Sequence, residues 1–123
     1  MDYANLIQQA HSVARPIYPN DDCQAGTVGA VIVSSRGQTY TGICLDFSCS
    51  LGFCAEHAAI AEMLKHHETH ITYVVAVHHT GRVMPPCGRC REMMWQLDVA
   101  NKDALVILGE VEARPLSELL PFR

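Results

Sequence analysis

An α/β fold is predicted, on three observations. Strand-like and helix-like stretches alternate through the middle of the chain, about half of the residues are apolar without any run approaching the ~20 needed to span a membrane, and 123 residues suit one domain with one core. The single domain is expected to occupy residues 1–123.

The elements follow in order. Tyr3, Leu6, Ile7, Ala10, Val13 and Ala14 recur at helical spacing and stop before Pro16, which cannot continue a helix. Pro19, Asn20, Asp21 and Asp22 are turn formers and predict a loop. Residues 28 to 33 form an apolar, β-branched run of buried-strand type, and residues 35 to 38 a hairpin turn into a second strand at 38 to 44. After Cys54, the apolar positions Ala58, Ile60, Ala61, Met63 and Leu64 predict a helix. A third strand at 71 to 77 and a helix whose core stripe is Met93, Met94 and Leu97 come next. Residues 104 to 108 and 111 to 114 supply two short final strands, and Pro115 permits a last helical turn at 116 to 120. The count is five strands, with helices to cover both faces of the sheet.

Two of these helices begin at cysteines. If the strands at 38 to 44 and 71 to 77 run parallel, both following helices start at one edge of the sheet, outside the strands' carboxyl ends. Cys54 then opens one helix, and Cys87 with Cys90 the other. Helix N-termini favour thiolates through unpaired amides and the positive dipole end. Cys87 and Cys90, three residues apart, can turn both sulfurs to one metal ion. Three protein ligands and an open fourth position describe catalytic zinc, and a carboxylate two residues past the first ligand, Glu56, can move the protons of a water there. One Zn2+ per chain is expected on Cys54, Cys87 and Cys90. Three thiolates make that centre negative, so positive groups should offset it; His57, Arg89 and Arg91 flank the ligands.

Composition bounds the partners. Lys and Arg number 9 against 13 Asp and Glu, a net charge of −4, which disfavours a polyphosphate strand. No nucleic-acid polymer and no membrane is expected as partner. The start of the chain has neither the basic residues nor the apolar stretch of a signal peptide, so a cytoplasmic location is expected, and six cysteines in such a chain do not imply a disulfide framework. His66 and His70 have metal-ligand spacing but lie near a helix end, where polar side chains are ordinary. His78 and His79 follow the third strand, so they fall at its carboxyl end and are candidates to touch substrate.

Taken together, Cys54-Ala55-Glu56 and Pro86-Cys87-Gly88-Arg89-Cys90 resemble the signature of the cytidine deaminase superfamily, in its small branch of free-nucleoside cytidine deaminases and blasticidin S deaminases. Val28-Gly29-Ala30, Tyr40-Thr41-Gly42 and Glu118-Leu119-Leu120-Pro121 extend the likeness over most of the chain. The resemblance implies a three-layer α-β-α sandwich with a mixed five-stranded sheet, zinc on Cys54, Cys87 and Cys90, and Glu56 as general acid/base. It also implies a homotetramer or homodimer. Where the family carries an asparagine and a glutamate for substrate, this chain has Cys44 and Asp46; where an arginine often follows Cys-Ala-Glu, it has His57. The reaction so implied is hydrolytic loss of ammonia from an aminated heterocycle, with Glu56 carrying protons from water to ring nitrogen and leaving group. Its substrate is a small molecule, either a cytidine-like nucleoside or an antibiotic of the blasticidin S type. A non-catalytic zinc domain is the competing class.

Overall fold

The computed structural model describes residues 2–122. Its helices are α1 (Ala4–Val13), α2 (Ala55–Lys65), α3 (Gly88–Leu97) and α4 (Leu116–Leu119). Its strands are β1 (Ile17–Asn20), β2 (Cys23–Ser34), β3 (Thr39–Phe47), β4 (Gly52–Phe53), β5 (Ile71–His78), β6 (Val83–Met84), β7 (Leu105–Ile107) and β8 (Ala113–Pro115).

All eight strands join one sheet, ordered β4-β3-β2-β5-β7-β8, with β1 on β2 and β6 on β5. The mixed character is as expected: β5 and β7 are parallel, and the other pairs are antiparallel. The strand count is larger than the five expected. The additions are β1, β4 and β6, each of two to four residues. Segments this short carry too little alternation to signal a strand and are defined by the partner they bond to. Pro19, read as part of a loop, lies inside β1, and the turn comes after it at Asp21 and Asp22.

Side-chain alternation along the sheet makes the layers. Val31 of β2 and Val75 and Val77 of β5 face one side with Ile107 and pack under α1 through Tyr3, Ala10, Leu6 and Ile7. Ile32 and Val74, one residue out of step, face the other side and pack against Ala59, Ile60 and Met63 of α2, Met94 of α3 and Leu116 of α4. The result is a three-layer α-β-α sandwich.

Two glycines set how closely the layers approach. A Cβ on Gly29 would lie 2.4 Å from the Ala10 carbonyl oxygen of α1. One on Gly42 would lie 2.5 Å from both the Ala55 carbonyl oxygen and the Ala59 nitrogen of α2. Only glycine lets the first turn of α2 rest on β3, so the position of Cys54 and Glu56 depends on Gly42.

β3 and β5 are not neighbours, yet each is antiparallel to β2 between them, so they run parallel to one another. The starts of α2 and α3 accordingly meet at one end of the sheet.

Candidate active site: a thiol cluster at two helix starts

Cys54 is the N-cap of α2 and Cys87 the N-cap of α3, both with extended backbone and neither using its side chain to cap the helix. Their sulfurs are therefore free to face one another. Cys54 Sγ lies 3.4 Å from Cys87 Sγ, and Cys87 Sγ lies 3.4 Å from Cys90 Sγ. A tetrahedral centre with zinc–sulfur bonds of ~2.3 Å needs sulfurs about 3.8 Å apart, so small outward shifts would admit the ion. All six cysteines are free thiols, and these distances are far longer than a disulfide bond. The donor set thus fits zinc on Cys54, Cys87 and Cys90.

The three thiols are held differently. Cys90 is fully buried, Cys54 partly buried and Cys87 exposed. Burial pushes the Cys90 thiol well up, aided by the Glu56 carboxylate beside it. Burial and the bond with Cys87 raise Cys54 as well. At Cys87 burial acts upward too, but the backbone amides of Cys90 and Arg89 and the neighbouring sulfurs outweigh it, leaving this thiol below its ordinary value. That is the expected behaviour of a sulfur over unpaired amides at a helix start.

Glu56 stands on the first turn of α2 and is 4% exposed. Burial raises its pKa, against the opposing pull of its own backbone amide and the Cys90 thiol. A carboxyl so placed holds a proton more readily than an exposed one and still faces the cavity, as a general acid/base must.

Beside the cluster lies a cavity of about 420 Å³ whose wall includes Cys54, Glu56, Cys87 and Arg89. Thr27, Val28, Cys44, Asp46 and Phe47 line it from β2 and β3, Leu51 and Phe53 from the segment before α2, and Met84 and Pro85 from the approach to α3. Cys44 is internally committed. Val28 N donates to its sulfur at 3.3 Å, Thr27 Oγ1 is 3.1 Å from it, and its own S–H points to Asp46 Oδ2 at 3.8 Å. Asp46 remains the exposed acceptor on that wall.

Other residues singled out in the sequence have other places. His78 and His79 do not line the cavity; their rings stack 4.4 Å apart, His78 Nδ1 meets Thr80, and the His79 carbonyl lies 2.9 Å from His11 Nε2 of α1. The hairpin that carries β6 back onto β5 puts Met84 and Pro85 at the cavity instead. Arg91 donates to the carbonyls of Pro86 and Leu119, at 2.9 and 3.0 Å, and so ties the α3 start to α4. Arg89 reaches the cavity wall. His57 is 7% exposed, packs its ring against Phe53, and has its pKa lowered by burial and by the Arg89 charge. His66 pairs with Glu62 at 3.2 Å at the end of α2, the ordinary role for a histidine there.

Sequence reasoning missed Thr27, Phe47, Leu51, Phe53, Met84 and Pro85 as lining residues. Except for Thr27, which lies inside β2, they come from loops, strand ends and short strands, and their apolar side chains gave no chemical signal.

The family described as "Cytidine and deoxycytidylate deaminase zinc-binding region" matches residues 2–105. A cytidine deaminase of Halalkalibacterium halodurans is 30% identical over 125 residues, covering 98% of this chain and 92% of that protein. Among solved structures, a cytidine deaminase from Mycobacterium tuberculosis superposes with a TM-score of 0.82 at 27% identity, covering 99% of this chain and 96% of that one. A cytidine deaminase from Mycobacterium leprae shares the fold at a TM-score of 0.80 and 20% identity, covering 98% of each chain.

Proposed function

This chain belongs to the cytidine and deoxycytidylate deaminase family, and from that premise we propose which of its residues perform the chemistry, and on what. It is a zinc-dependent hydrolytic deaminase that turns an exocyclic amine on a cytidine-like substrate into a carbonyl and releases ammonia. The assignment of roles rests on one observation: three sulfurs converge at the starts of α2 and α3, and the buried carboxyl of Glu56 lies beside them on the wall of a cavity.

Cys54, Cys87 and Cys90 are the zinc ligands, and zinc held there supplies Lewis acidity toward water. Glu56 does the proton work. Its carboxylate accepts a proton from the attacking water, delivers it to the ring nitrogen next to the amine-bearing carbon, and then carries the remaining proton to the departing amine. The apolar walls at Val28, Phe53 and Met84 exclude bulk water from this transfer and give the heterocycle a surface to pack on. Asp46, steadied by Cys44, accepts a hydrogen bond from a donor on the part of the substrate that points toward the cavity mouth. Arg89 provides positive charge on the same wall as the thiols.

Cytidine or deoxycytidine is the leading substrate. An antibiotic of the blasticidin S type is the second, because the Asp46 carboxylate and the Arg89 guanidinium give the cavity both a negative and a positive contact for a zwitterion. A non-catalytic zinc domain would gain nothing from a buried carboxyl facing an open cavity. The whole chain, 1–123, works as one domain, in the cytoplasm, on a small molecule. No helix among the described residues is long and apolar enough to cross a membrane. A homotetramer or homodimer would cover Ile17, Tyr18, Leu51 and Phe122, apolar side chains that stand exposed on the single chain.

Ammonia release from zinc-loaded protein, measured with cytidine, deoxycytidine, cytosine and blasticidin S, tests the proposal. Turnover of one of them by wild type and not by Glu56→Gln is the expected result. Silence with all four, at one zinc per chain, would refute these substrate assignments.

A further inference from the structure

His57 poses a problem that the roles above leave unsolved. The residue is 7% exposed, and Nε2 is enclosed with no hydrogen-bond partner among the described residues. Buried polar nitrogens are almost always paired, and a bare one needs a reason. The reason is in its surroundings. A ring nitrogen of His57 and the Sγ atoms of Cys54 and Cys90 all lie within 4.8 Å of one another. His57 is also three residues past Cys54 on the first turn of α2, the spacing that puts both side chains on one face of the helix. Phe53 packs on the ring from the cavity side, with centroids 6.3 Å apart, and helps hold it there.

Two readings of such a nitrogen are chemically possible: a fourth metal ligand, or a donor to a metal-bound thiolate. The cavity favours the second. It opens on Cys54, Cys87 and Glu56, where a fourth position on the metal would face the substrate, and His57 is not on its wall. We propose that His57 is a positioning residue of the metal centre, whose Nε2–H donates a hydrogen bond to the Cys54 or Cys90 thiolate. The inference rests on the zinc-ligand assignment above. Donation from Nε2 would withdraw electron density from a sulfur, temper the negative charge of three thiolates, and fix the sulfur's direction toward the metal.

The test uses the full chain loaded with cobalt(II), whose thiolate-to-metal absorption reports how electron-rich the sulfurs are. His57→Phe keeps a ring and removes the donor; His57→Gln keeps a donor. The expected result is that His57→Phe moves the charge-transfer band to longer wavelength and weakens metal binding, by chelator competition, by roughly 10- to 100-fold, while His57→Gln stays close to wild type on both. Identical bands and affinities in all three proteins would overturn the proposal, as would equal losses in Phe and Gln. Should the variants fold poorly, nitrogen-15 shifts of His57 in the zinc-loaded wild type decide the matter. A protonated Nε2 is expected, and a metal-bound or unprotonated Nε2 would overturn the proposal. Failure of the underlying ligand assignment would look different: wild type itself would take up no cobalt with a thiolate band.

Discussion

The two ends of α2 and α3 are built to opposite rules. At their starts, polar groups crowd together with few partners outside their own cluster, which makes this the unpaired end: three free thiols in a chain of 3.4 Å contacts, a buried Glu56 beside the Cys90 thiol, and a buried His57 nitrogen with no partner among the described residues. At their far ends, polar groups are almost fully paired. Asn101, wholly buried, accepts from Ile71 N at 2.7 Å and donates to the carbonyls of Thr69 and Met94 at 2.9 and 3.0 Å. Thr69 donates to Asp98, whose other oxygen accepts from Ala100 N. Tyr40 donates to Glu68, a buried carboxylate whose second oxygen is the exception in having no partner among the described residues. The paired end gives the scaffold its stability, and the unpaired end keeps its donors available for a metal and a substrate. Substitutions at the two ends should therefore separate activity from stability.

The largest effect is expected at the unpaired end. Glu56→Gln should lower turnover by roughly 10²- to 10⁴-fold while zinc content and thermal midpoint stay near wild type. A paired-end type of outcome, lost stability with normal turnover per folded molecule, would break the contrast. Cys90→Ala comes next: removing a buried ligand should abolish stoichiometric zinc, read by metal analysis, and lower the thermal midpoint because metal binding is coupled to folding.

Asn101→Ala is the converse. It leaves the Ile71 amide and two carbonyls short of a partner in the core, and should cost on the order of 3 kcal/mol in urea unfolding, with KM and zinc content of the folded fraction unchanged. Gly42→Ala falls between the ends. Its Cβ would sit 2.5 Å from α2 backbone atoms, so α2 must shift, and both stability, by about 1–3 kcal/mol, and turnover should fall together.

The smallest and most pH-specific effect lies with Tyr40. The Tyr40 hydroxyl holds the Glu68 carboxyl below the usual carboxylate range, and the Glu68 acceptor in turn raises the Tyr40 hydroxyl to about 12. A depressed carboxylate adds stability above its unfolded pKa and loses it as pH falls through the folded value. A raised phenol adds stability below its ordinary value near 10 and loses it as pH climbs toward 12. The stability gap between wild type and Tyr40→Phe should thus be flat from about pH 5 to 9 and close at both extremes, as measured by denaturant midpoints across pH. A gap that fails to narrow as acid protonates Glu68 would assign it to packing alone.

Much of this was legible in the residues. Cysteine at two helix starts, each after a strand, was enough to place Cys54, Cys87 and Cys90 at one sheet end, because helix starts, strand direction and crossover geometry are local or nearly so. Glu56 followed from its offset of two from Cys54. The partners of Arg91 were not legible, since its bond to Leu119 spans 28 residues and carbonyls carry no sequence signature. Nor was the displacement of His78 and His79 from the cavity, which depends on a two-residue strand folding back onto β5. Asn101 was silent for the same reason: its three partners lie on three different segments.

The most direct test of the central claim measures zinc content and ammonia release from cytidine on the same preparations of wild type and Glu56→Gln. One zinc per chain in both proteins, with ammonia released by wild type alone, is the predicted result. Near-normal ammonia release from Glu56→Gln, with its zinc in place, would contradict the proton-shuttle role at the centre of the account.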